Sequence, residues 1–469
     1  MTKTWRSFIV VAITAATVTS AAGCASSASN AAGGQNLSSS AAQSLTVWTF
    51  KKEWVPGLQA AAAAYASKTG KKFTLDVQYF DEANGVYSSK VSASARSNQL
   101  PDLLTAYGSQ WDYVGGGLFK NLTGKMDEQL KNIPDSLVND FVKYTQTTAD
   151  ACSANKDCTY KSVTLGNYYT VPEISGATGY FYVSKDQLTK AGLDATHIPA
   201  NWAELIGEIQ ATSSKLGQTG GLVMPLKIPE TGWLWMLHPM LFTQLGAART
   251  AALFSDKTGN LWKDPAVVNT LRLYDQLSPS WVPSVLQDDI EQGDDVFSSG
   301  KGTWYFGGTF SLAGLVQKGM DPNKLLIFPM PVAAGGALPK LQLQPWASGS
   351  IGISKNTKNE AATLAFLKFY MSQPAAQAFA TAVHDTPAVT IPAANGDTNP
   401  LLPATKASFG QGAEAYNEFT VYGPGCDGAK TLNNQAATAL TALIGKHSTP
   451  VQVADKLQGL FQKAWAACG

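Results

Sequence analysis

Residues 45–50 have the sequence LTVWTF, a run of apolar, β-branched and aromatic residues that predicts a buried strand. A helix is predicted to begin at about Val55, because Pro56 is well tolerated in a first helical turn. Gly70 marks its predicted end, since glycine readily takes the left-handed conformation that follows many helices. The chain therefore opens with a strand followed by a helix.

The same alternation continues along the next part of the chain. Residues 73–79 predict a second strand, residues 84–97 a polar helix and residues 102–106 a short third strand. Strand, helix, strand, helix and strand within about 65 residues indicate an α/β fold, in which helices cover a parallel sheet.

Later segments fit the same fold class. Asn201 is a predicted N-cap with Glu204 three residues on, and Asp264-Pro265 opens a helix that runs to about Leu277. Further strands are predicted over residues 180–183, 302–306 and 351–353, and further helices over 360–371 and 449–468.

Composition excludes several classes of protein. The chain has 469 residues, of which 45% are hydrophobic and 15% charged, so it can build large cores in two to three domains. Its 35 basic and 34 acidic residues give a net charge of +1. This balance provides no overall basic field for a nucleic-acid backbone.

The first 23 residues have the design of a secretory signal. Lys3 and Arg6 precede an uncharged apolar run over residues 7–18, and small residues lead to Cys24. This arrangement resembles the lipobox of bacterial lipoproteins, except that Ala21 stands where leucine is usual. The resemblance implies that residues 1–23 are removed and that Cys24 is acylated. An ordinary secretory signal cut nearby is the alternative.

Residues 24–43 are predicted to be a flexible tether. They are mostly Ser, Ala, Gly, Asn and Gln, with Leu37 as the one large apolar residue. Such a segment cannot bury enough surface to offset the entropy lost on ordering.

The cysteines fit an oxidising exterior. With Cys24 acylated, four remain, and we expect disulfides between Cys152 and Cys158 and between Cys426 and Cys468. Four cysteines allow three pairings, and free thiols are the alternative. The sequence contains no CxxC and no HExxH, so we expect neither a metal site nor a cofactor.

Four segments in order resemble the extracellular solute-binding lipoproteins of ABC importers, in the carbohydrate-binding class related to maltose-binding protein. They are residues 98–123 (NQLPDLLTAYGSQWDYVGGGLFKNLT), residues 171–208 (from VPEISGATGYFYVSKDQLTKAGL to NWAELIGEI), residues 296–312 (VFSSGKGTWYFGGTFSL) and residues 345–383. Each motif alone is weak, and their order across most of the chain carries the resemblance.

The resemblance implies a two-lobed periplasmic-binding-protein fold of type II, with a ligand cleft between the lobes. Each lobe has a mainly parallel sheet flanked by helices, and three hinge crossings connect the lobes. The implied first lobe comprises residues 44–168 and 347–386, the second comprises residues 169–346 and 387–469, and the crossings lie near residues 168–172, 345–349 and 387–392.

A sugar-binding cleft needs two kinds of side chain. Aromatic rings cover the C–H face of a pyranose, and carboxylates, amides and hydroxyls bond its hydroxyl rim. Ligands of open α/β sheets bind beyond the carboxyl ends of the strands. Aromatic residues beside polar ones on the loops that follow strands are therefore the candidate ligand contacts.

The first lobe offers three such groups, one after each predicted strand. They are Lys52, Glu53 and Trp54; Asp81 and Glu82; and Tyr107, Ser109, Gln110, Trp111 and Asp112. The structural alternatives are an exposed helix start for the first group, helix N-terminal acids for the second and a core position for Trp111.

The remaining candidates lie in the second lobe and near the crossings. They are Glu173, Glu230, Trp233, Trp235, Trp304, Phe306, Gly308, Gln344, Trp346 and Asp385. The family resemblance implies an aromatic platform near Trp233 and Trp235 and a stacking ring at Trp304. Residues two apart on a helix face different ways, so only one of Trp233 and Trp235 is expected to line the cleft.

Residues 423–428 match GxGxxG after the strand-like segment EFTVY at residues 418–422. The rest of the chain has only helical patterning, so no second strand completes a dinucleotide-binding unit. We therefore do not expect nucleotide binding there.

The predicted function is the substrate-binding subunit of an ABC importer, not an enzyme. We expect a monomer on the extracellular face of a bacterial membrane, held by its lipid, that captures a mono- or oligosaccharide and passes it to the permease subunits. The alternatives are a binding protein for a polyamine or a peptide and, third, an exported glycoside hydrolase, which needs two carboxyl groups at a defined separation.

Overall fold

The computed structural model describes residues 43–82, 85–107, 111–139, 164, 166–391, 399–418, 423–424 and 431–468. The predicted signal peptide, nearly all of the tether and Cys24, Cys152, Cys158 and Cys426 lie outside these residues. Cys468 is the last residue of the C-terminal helix.

The strands of the described segments are short, with two to eight residues each. In chain order they are β1 (Gln43–Thr49), β2 (Phe73–Tyr79), β3 (Leu103–Tyr107), β4 (Val171–Gly176), β5 (Thr178–Ser184), β6 (Leu222–Val223), β7 (Trp304–Gly308), β8 (Leu325–Pro329), β9 (Gln342–Leu343), β10 (Trp346–Ile353) and β11 (Ala415–Tyr416).

The α-helices are α1 (Val55–Thr69), α2 (Val86–Arg96), α3 (Trp111–Gly115), α4 (Asp127–Leu130), α5 (Lys185–Ala191), α6 (Trp202–Leu216), α7 (His238–Leu245), α8 (Ala247–Ser255), α9 (Pro265–Asp275), α10 (Ile290–Ser298), α11 (Ser311–Gln317), α12 (Glu360–Tyr370), α13 (Gln373–Val383), α14 (Leu401–Ser408), α15 (Leu432–Thr441) and α16 (Pro450–Cys468). A π-helical segment spans Thr231–Leu237, and single 3-10 turns include Lys52–Trp54. Among the helices described, none is long and apolar enough to cross a membrane.

The predicted helix ends are confirmed where the sequence carries a local signal. Gly70 follows α1 in the left-handed conformation, with φ of 65°. The Asn201 side chain accepts a hydrogen bond of 3.0 Å from the backbone N–H of Glu204, and Asp264 caps α9 through the N–H of Ala266. These caps satisfy backbone donors that the first helical turn leaves unpaired.

The first sheet has the strand order β2-β1-β3-β10-β4. Strands β1, β2 and β3 are parallel, and β10 pairs antiparallel with both β3 and β4. Four strands therefore run in one direction, and β10 runs against them from its place between β3 and β4.

The second sheet has the order β6-β7-β5-β8, and β9 pairs separately with β11. Strand β5 is antiparallel to both of its neighbours, while β6 and β7 are parallel. In each sheet all strands but one run in the same direction, in agreement with the predicted mainly parallel sheets. The reversed strand, β10 in the first sheet and β5 in the second, was not apparent from the sequence patterns.

Each sheet has its own hydrophobic core, and these two cores with their sheets are called the first and second lobes below. The core of the first lobe includes Val47 of β1, Leu58 of α1 and Phe366 of α12. The core of the second lobe is larger and includes Phe181 of β5 and Phe461 of the C-terminal helix. The α/β fold class predicted from sequence is thus present in both.

The chain passes between the two sheets over very short connections. Strand β4 of the first sheet ends at Gly176, and β5 of the second begins at Thr178. The return from β9 to β10 is also brief, with Gln344 and Pro345 as the two residues between the strands. The two sheets therefore meet along a narrow junction.

Gly349 is the position in β10 where an added side chain would clash most closely with its neighbours. A Cβ atom there would overlap the ring of Trp54, so we expect Gly349→Ala to lower the free energy of unfolding by about 1–3 kcal/mol. Chemical denaturation followed by circular dichroism measures this loss.

Gly207→Ala is the matched control. Gly207 lies within α6 with open space around its Cα, so alanine should raise stability by about 0.5–1 kcal/mol through its helix propensity. Equal effects of the two substitutions would contradict the close packing of Trp54 on β10.

Candidate ligand-binding site

Five aromatic side chains from both lobes form a connected group at the junction, called here the aromatic belt. Its members are Phe50, Tyr107, Trp346, Trp235 and Phe310. The ring centroids of Phe50 and Tyr107 are 6.3 Å apart, those of Tyr107 and Trp346 are 5.9 Å apart, and those of Trp235 and Phe310 are 5.4 Å apart.

Strand direction explains why these rings meet. Phe50 directly follows β1 and Tyr107 ends β3, so both lie at the carboxyl edge of the parallel strands. Because β10 is reversed, its first residue, Trp346, lies at this same edge, and Gly349 pairs with Tyr107. Phe310 follows β7 of the second lobe. The belt thus occupies the edge where open α/β sheets bind ligands.

Ring faces in the belt are accessible to a ligand. Tyr107 is 52% exposed, which is unusual for a large aromatic residue beside a buried strand. Trp235 and Phe310 are half-buried, whereas Phe50 and Trp346 are buried behind them. Tyr107 and Trp235 therefore offer surface from the first and second lobes respectively.

Glu418 lies beside the two tryptophans of the belt. Its carboxylate accepts a hydrogen bond of 2.6 Å from the Thr178 hydroxyl, and the indoles of Trp235 and Trp346 are its neighbours. Burial raises the pKa of Glu418 to about 7, while the Thr178 hydroxyl and the two neighbouring indoles lower it.

Lys51 makes a contact across the lobes at the other end of the belt. Its ammonium nitrogen lies 5.9 Å from the ring centroid of Phe310, within the range of a cation–π interaction. Close by, Ala313 of α11 packs into the core of the first lobe. The lobes therefore touch along the line from the 52–54 turn to α11.

Asp294 of α10 is a buried acid near the same contact. Burial raises the pKa of its carboxyl group to about 7, and Glu53 of the first lobe raises it further, while the Tyr305 hydroxyl and Lys51 lower it. Its Oδ1 atom has no hydrogen-bond partner among the described residues. The second lobe thus presents to Lys51 and Glu53 a carboxyl group that holds its proton more tightly than a free one.

Two further carboxyl groups are buried beneath the belt in the first lobe. Burial raises the pKa of Glu173 to about 8, with a smaller rise from Asp385, although a hydrogen bond from the Tyr370 hydroxyl lowers it. Burial likewise raises the pKa of Asp385 to about 7, while its bonds from the Thr386 N–H and the Trp54 indole lower it. Both groups therefore hold protons more tightly than free carboxyls.

The structure brings several predicted site residues together. Tyr107, Trp235 and Trp346 meet in the aromatic belt. Trp54, Glu173 and Asp385 also converge, but as a buried cluster that no ligand reaches, since each is at most 4% exposed. Trp54 donates its indole N–H to Asp385 at 3.3 Å.

Three predicted aromatic residues are corrected to core positions. Trp304 is fully buried and donates its indole N–H to Thr212 at 2.8 Å, and Phe306 packs against Phe181 with ring centroids 4.8 Å apart. Trp233 is also fully buried and stacks on Trp262. These rings face the interior of the second lobe, so they are not ligand platforms.

Trp233 and Trp235 point in different directions, as expected for residues two apart on a helical turn. Trp233 turns inward toward Asn433, which accepts its N–H at 3.4 Å, while Trp235 turns toward Glu418 and Phe310. The π-helical turn places these two side chains on different faces.

Other predicted residues have structural partners of their own. Glu82 accepts hydrogen bonds from the backbone and hydroxyl of Ser88 in the first turn of α2, the alternative noted for it above. Glu230 accepts a bond of 2.7 Å from Asn434. The Gly308 carbonyl accepts a bond from the Tyr182 hydroxyl, and a Cβ atom at Gly308 would overlap Phe310.

The remaining predicted residues are at least partly exposed or lie outside the described residues. Asp81 and Gln344 are half-exposed, as is Glu53, and Lys52 is exposed. Ser109 and Gln110 lie outside the described residues, as do the side chains of Trp111 and Asp112 at the start of α3.

Sequence reasoning missed Phe50, Phe310, Lys51, Asp294 and Glu418. Phe310 lies two residues after Gly308 in the quoted segment 296–312. It is an aromatic residue beside the polar residues Thr309 and Ser311 after a predicted strand, so the criterion used for the other candidates applies to it as well. Glu418 begins the strand-like EFTVY segment that was considered only for its nucleotide-binding motif. Its role depends on contacts with residues far away in the chain, for which the sequence carries no local signal.

His197, Glu204 and Glu208 are the group in the described segments that has ligand atoms close enough for a metal ion, within 4.8 Å of one another. Their contacts are explained without one. His197 pairs with Glu204 at 2.8 Å, and Glu204 also accepts the backbone N–H of Ala200 at the start of α6.

The buried acids predict how stability depends on pH. A carboxyl whose pKa is higher in the folded chain than the usual 4.5 of glutamate stabilises the fold most below that value, and this stabilisation is lost as the pH rises through the folded pKa. For Glu173 the loss extends to about pH 8. We therefore expect the melting temperature to fall by several degrees from pH 5 to pH 8.5 in differential scanning calorimetry.

Glu173→Gln keeps an oxygen for the Tyr370 hydroxyl but cannot ionise, so its melting temperature should fall less over this range. Glu128→Gln changes an acid that is 76% exposed and should leave the wild-type slope unchanged. Parallel curves for the wild type and Glu173→Gln would contradict the raised pKa of Glu173.

A sequence profile described as bacterial extracellular solute-binding protein matches residues 51–377 of the chain. No curated protein sequence matches it.

Solved structures with a similar fold share little sequence with the chain. One, from work on xylan utilization by the thermophilic bacterium Caldanaerobius polysaccharolyticus, is 17% identical, with a TM-score of 0.61 over 89% of this chain and 99% of that chain. The GacH receptor of Streptomyces glaucescens, solved unliganded and with acarbose, is 19% identical, with a TM-score of 0.59 over 91% and 99%. The maltotriose binding protein of Thermus thermophilus is 17% identical, with a TM-score of 0.56 over 90% and 99%.

The profile covers well over half of the chain, and the similar structures extend across nearly all of it. The chain therefore belongs to the family of bacterial extracellular solute-binding proteins and has the two-lobed periplasmic-binding-protein fold of type II.

Proposed function

We propose that this protein is the carbohydrate-binding subunit of an ABC importer, and that its ligand lies against the aromatic belt. The observation that carries the proposal is the pair of accessible rings, Tyr107 and Trp235, which come from different lobes and contact Trp346 and Phe310 respectively.

Sugar chemistry favours this set of side chains. The C–H face of a pyranose packs on an aromatic ring and excludes water from it. The hydroxyl rim needs hydrogen-bonding groups, which Lys51, Glu53 and Asp294 provide near the belt. Carboxyl groups with pKa values near 7 can donate as well as accept hydrogen bonds, which suits neutral hydroxyl groups better than a permanent cation.

The names of the similar structures support the same class of ligand. The receptor from Streptomyces glaucescens was solved with acarbose, and the protein from Thermus thermophilus is bound with maltotriose. These descriptions concern proteins less than 20% identical to this chain, so they favour a carbohydrate in general and no particular one.

Capture is proposed to occur by closure of the lobes on the ligand. We assign residues 43–176 and 346–389 to the first lobe, because β4 and β10 belong to its sheet and Val389 to its core, and we assign residues 178–345 and those after the third crossing to the second. The first crossing therefore lies at Ala177, not near residues 168–172 as the family resemblance implied, and the other two are proposed near residues 345–349 and 387–392. A sugar that contacts both lobes only when they are closed shifts the population toward that state, and the closed surface then docks on the permease.

The remaining assignments rest on the sequence. We propose that a signal peptide over residues 1–23 directs export, that Cys24 carries the lipid that holds the protein on the outer face of the membrane, and that the protein acts as a monomer. We also propose the disulfides Cys152–Cys158 and Cys426–Cys468, which suit an exported protein. The ligand is released unchanged, so no catalytic role is assigned.

A panel of solutes tests the proposal directly. Maltotriose, raffinose and D-galactose should be titrated against the purified chain by calorimetry, with spermidine for comparison. We expect at least one sugar to bind, to change tryptophan fluorescence and to lower the radius of gyration in small-angle scattering. Binding of spermidine alone, or hydrolysis of a sugar during the incubation, would overturn the proposal.

Substitution of the accessible rings tests the location of the site. Tyr107→Ala and Trp235→Ala should each weaken binding of the sugar found in the panel by about 10- to 100-fold, because truncating a central aromatic contact typically costs this much. Calorimetry measures the change.

Trp465→Ala is the matched control. Trp465 is a half-buried tryptophan of the same lobe whose ring lies 5.7 Å from the ammonium of Lys257, not in the belt. Its loss should leave sugar affinity within twofold of the wild type. A similar loss of affinity in Trp465→Ala and Trp235→Ala would show that the belt is not the site.

A further inference from the structure

Trp54 donates its indole N–H to a carboxyl group from a distant part of the chain. The acceptor is Asp385, 331 residues further on, and the donor and acceptor atoms are 3.3 Å apart. Trp54 is 3% exposed and Asp385 is 1% exposed, so neither side chain can contact a ligand. An indole ring has a single hydrogen-bond donor, so this bond largely fixes the direction of the Trp54 ring.

The surrounding structure holds Asp385 in place. Asp385 follows α13 by two residues, and its other carboxyl oxygen accepts the backbone N–H of Thr386 at 2.7 Å. The carbonyl of Thr386 in turn accepts the N–H of Ser175 in β4 at 2.8 Å. Helix α1, which begins directly after Trp54, packs closely on α13, since a Cβ atom at Gly57 would overlap side chains of α13. Asp385 is therefore a fixed acceptor within the first lobe.

The Trp54 ring connects this acceptor to the aromatic belt. Its centroid is 5.2 Å from that of Phe50, with ring planes inclined at 69°, and Phe50 contacts Tyr107 with planes inclined at 72°. The same indole covers Gly349 of β10, where a Cβ atom would overlap it, and Gly349 is the cross-strand partner of Tyr107. Trp54 therefore acts on the surroundings of Tyr107 by two routes, one through a ring and one through the backbone.

Close packing lets a small change at Trp54 reach the surface of the belt. Protein interiors have few voids, so a buried ring that moves displaces its neighbours. Phe50 is 7% exposed and has little room of its own, whereas Tyr107 is 52% exposed and can move into solvent. A change in the direction of the Trp54 ring is therefore expected to move Tyr107.

We propose that Trp54 and Asp385 are positioning residues for ligand binding, and that their hydrogen bond sets the position of the Tyr107 ring. The inference rests on the proposed function for its ligand, a carbohydrate, whereas the position of the ring can be tested without any sugar. A bond with a purely structural role would contribute to stability and leave Tyr107 in place.

Asp385→Asn and Trp54→Phe are the test variants. Asparagine has one acceptor oxygen for the two donors that Asp385 receives, and phenylalanine keeps a ring but has no N–H. The double variant, Trp54→Phe with Asp385→Asn, completes a double-mutant cycle.

Each test variant has a matched control in the first lobe. Asp102→Asn changes an acid that also accepts a backbone N–H, that of Thr46 at 3.0 Å, but it lies just before β3, at the end of the strand opposite to Tyr107. Trp48→Phe removes a buried indole whose N–H donates to Gln78 at 3.0 Å. Both controls lose a hydrogen bond within the same lobe, so lost stability alone cannot distinguish them from the test variants.

Fluorine NMR of the sugar-free protein labelled with 3-fluorotyrosine is the first measurement. The chain has 16 tyrosines, and Tyr107→Phe identifies the signal of Tyr107 by its loss. We expect Asp385→Asn and Trp54→Phe to shift this signal. Asp102→Asn and Trp48→Phe should leave it at the wild-type position.

The indole region of the proton–nitrogen correlation spectrum measures the hydrogen bond itself. The chain has 12 tryptophans, and Trp54→Phe identifies the indole signal of Trp54 by its loss. We expect Asp385→Asn to move the Trp54 indole proton upfield, because the proton loses its acceptor. Asp102→Asn should leave this signal unchanged.

Calorimetric titration with maltotriose, raffinose and D-galactose is the third measurement. For the sugar that binds the wild type, Asp385→Asn and Trp54→Phe should each weaken affinity by about 3- to 10-fold, the size of effect expected for one hydrogen bond. Both controls should stay within twofold of the wild type. In the Trp54→Phe background, Asp385→Asn should change affinity by less than about twofold, because its action passes through the missing indole N–H.

The three measurements separate the possible failures. If no sugar binds the wild type, the carbohydrate proposal fails, and the two spectra alone decide the positioning role. That role is overturned by a Tyr107 signal that stays in place in both test variants or shifts equally in the controls. Losses of affinity that simply multiply in the double variant, or a Trp54 indole proton that Asp385→Asn does not move, also overturn it. If Asp385→Asn does not fold, the comparison of Trp54→Phe with Trp48→Phe still decides.

Discussion

The pairing of the reversed strand β10 between β3 and β4 is the constraint on which the candidate site depends. In an all-parallel sheet, the start of a strand lies at the edge opposite the binding edge. Here the reversal brings Trp346, the first residue of β10, beside Tyr107, the last residue of β3. The same reversal lets the chain return from β9, which pairs with β11, to the first sheet over two residues, so ring placement and lobe connection have one structural cause.

The junction between the lobes also concentrates buried acids. Glu173, Asp294, Asp385 and Glu418 all have pKa values raised to about 7 or 8, chiefly by burial. Charged groups are costly in such places, and neutral carboxyl groups reduce that cost while keeping both donor and acceptor capacity. Burial of these acids lowers the free energy of unfolding in a region where a purely structural core would have apolar side chains.

Local features of the fold could be predicted well from the sequence, because caps and strand patterns depend on neighbouring residues. The bounds of α1 and the caps at Asn201 and Asp264 are examples. Tyr107, Trp235 and Trp346 were found because they follow or border strands. Trp304 and Phe306 were misjudged since β7 is covered on both faces, where alternation no longer separates core from surface. Glu418 was missed because long-range contacts define it.

The connection between β4 and β5 consists of Ala177 alone. A link of one residue has no slack, so the two bodies cannot slide apart or translate along each other there. Only a small number of backbone torsions can change, which favours rotation about a nearly fixed axis. In the proposed closure so few degrees of freedom change that little conformational entropy is lost, and a modest number of weak contacts to a small neutral molecule would be enough to bias it.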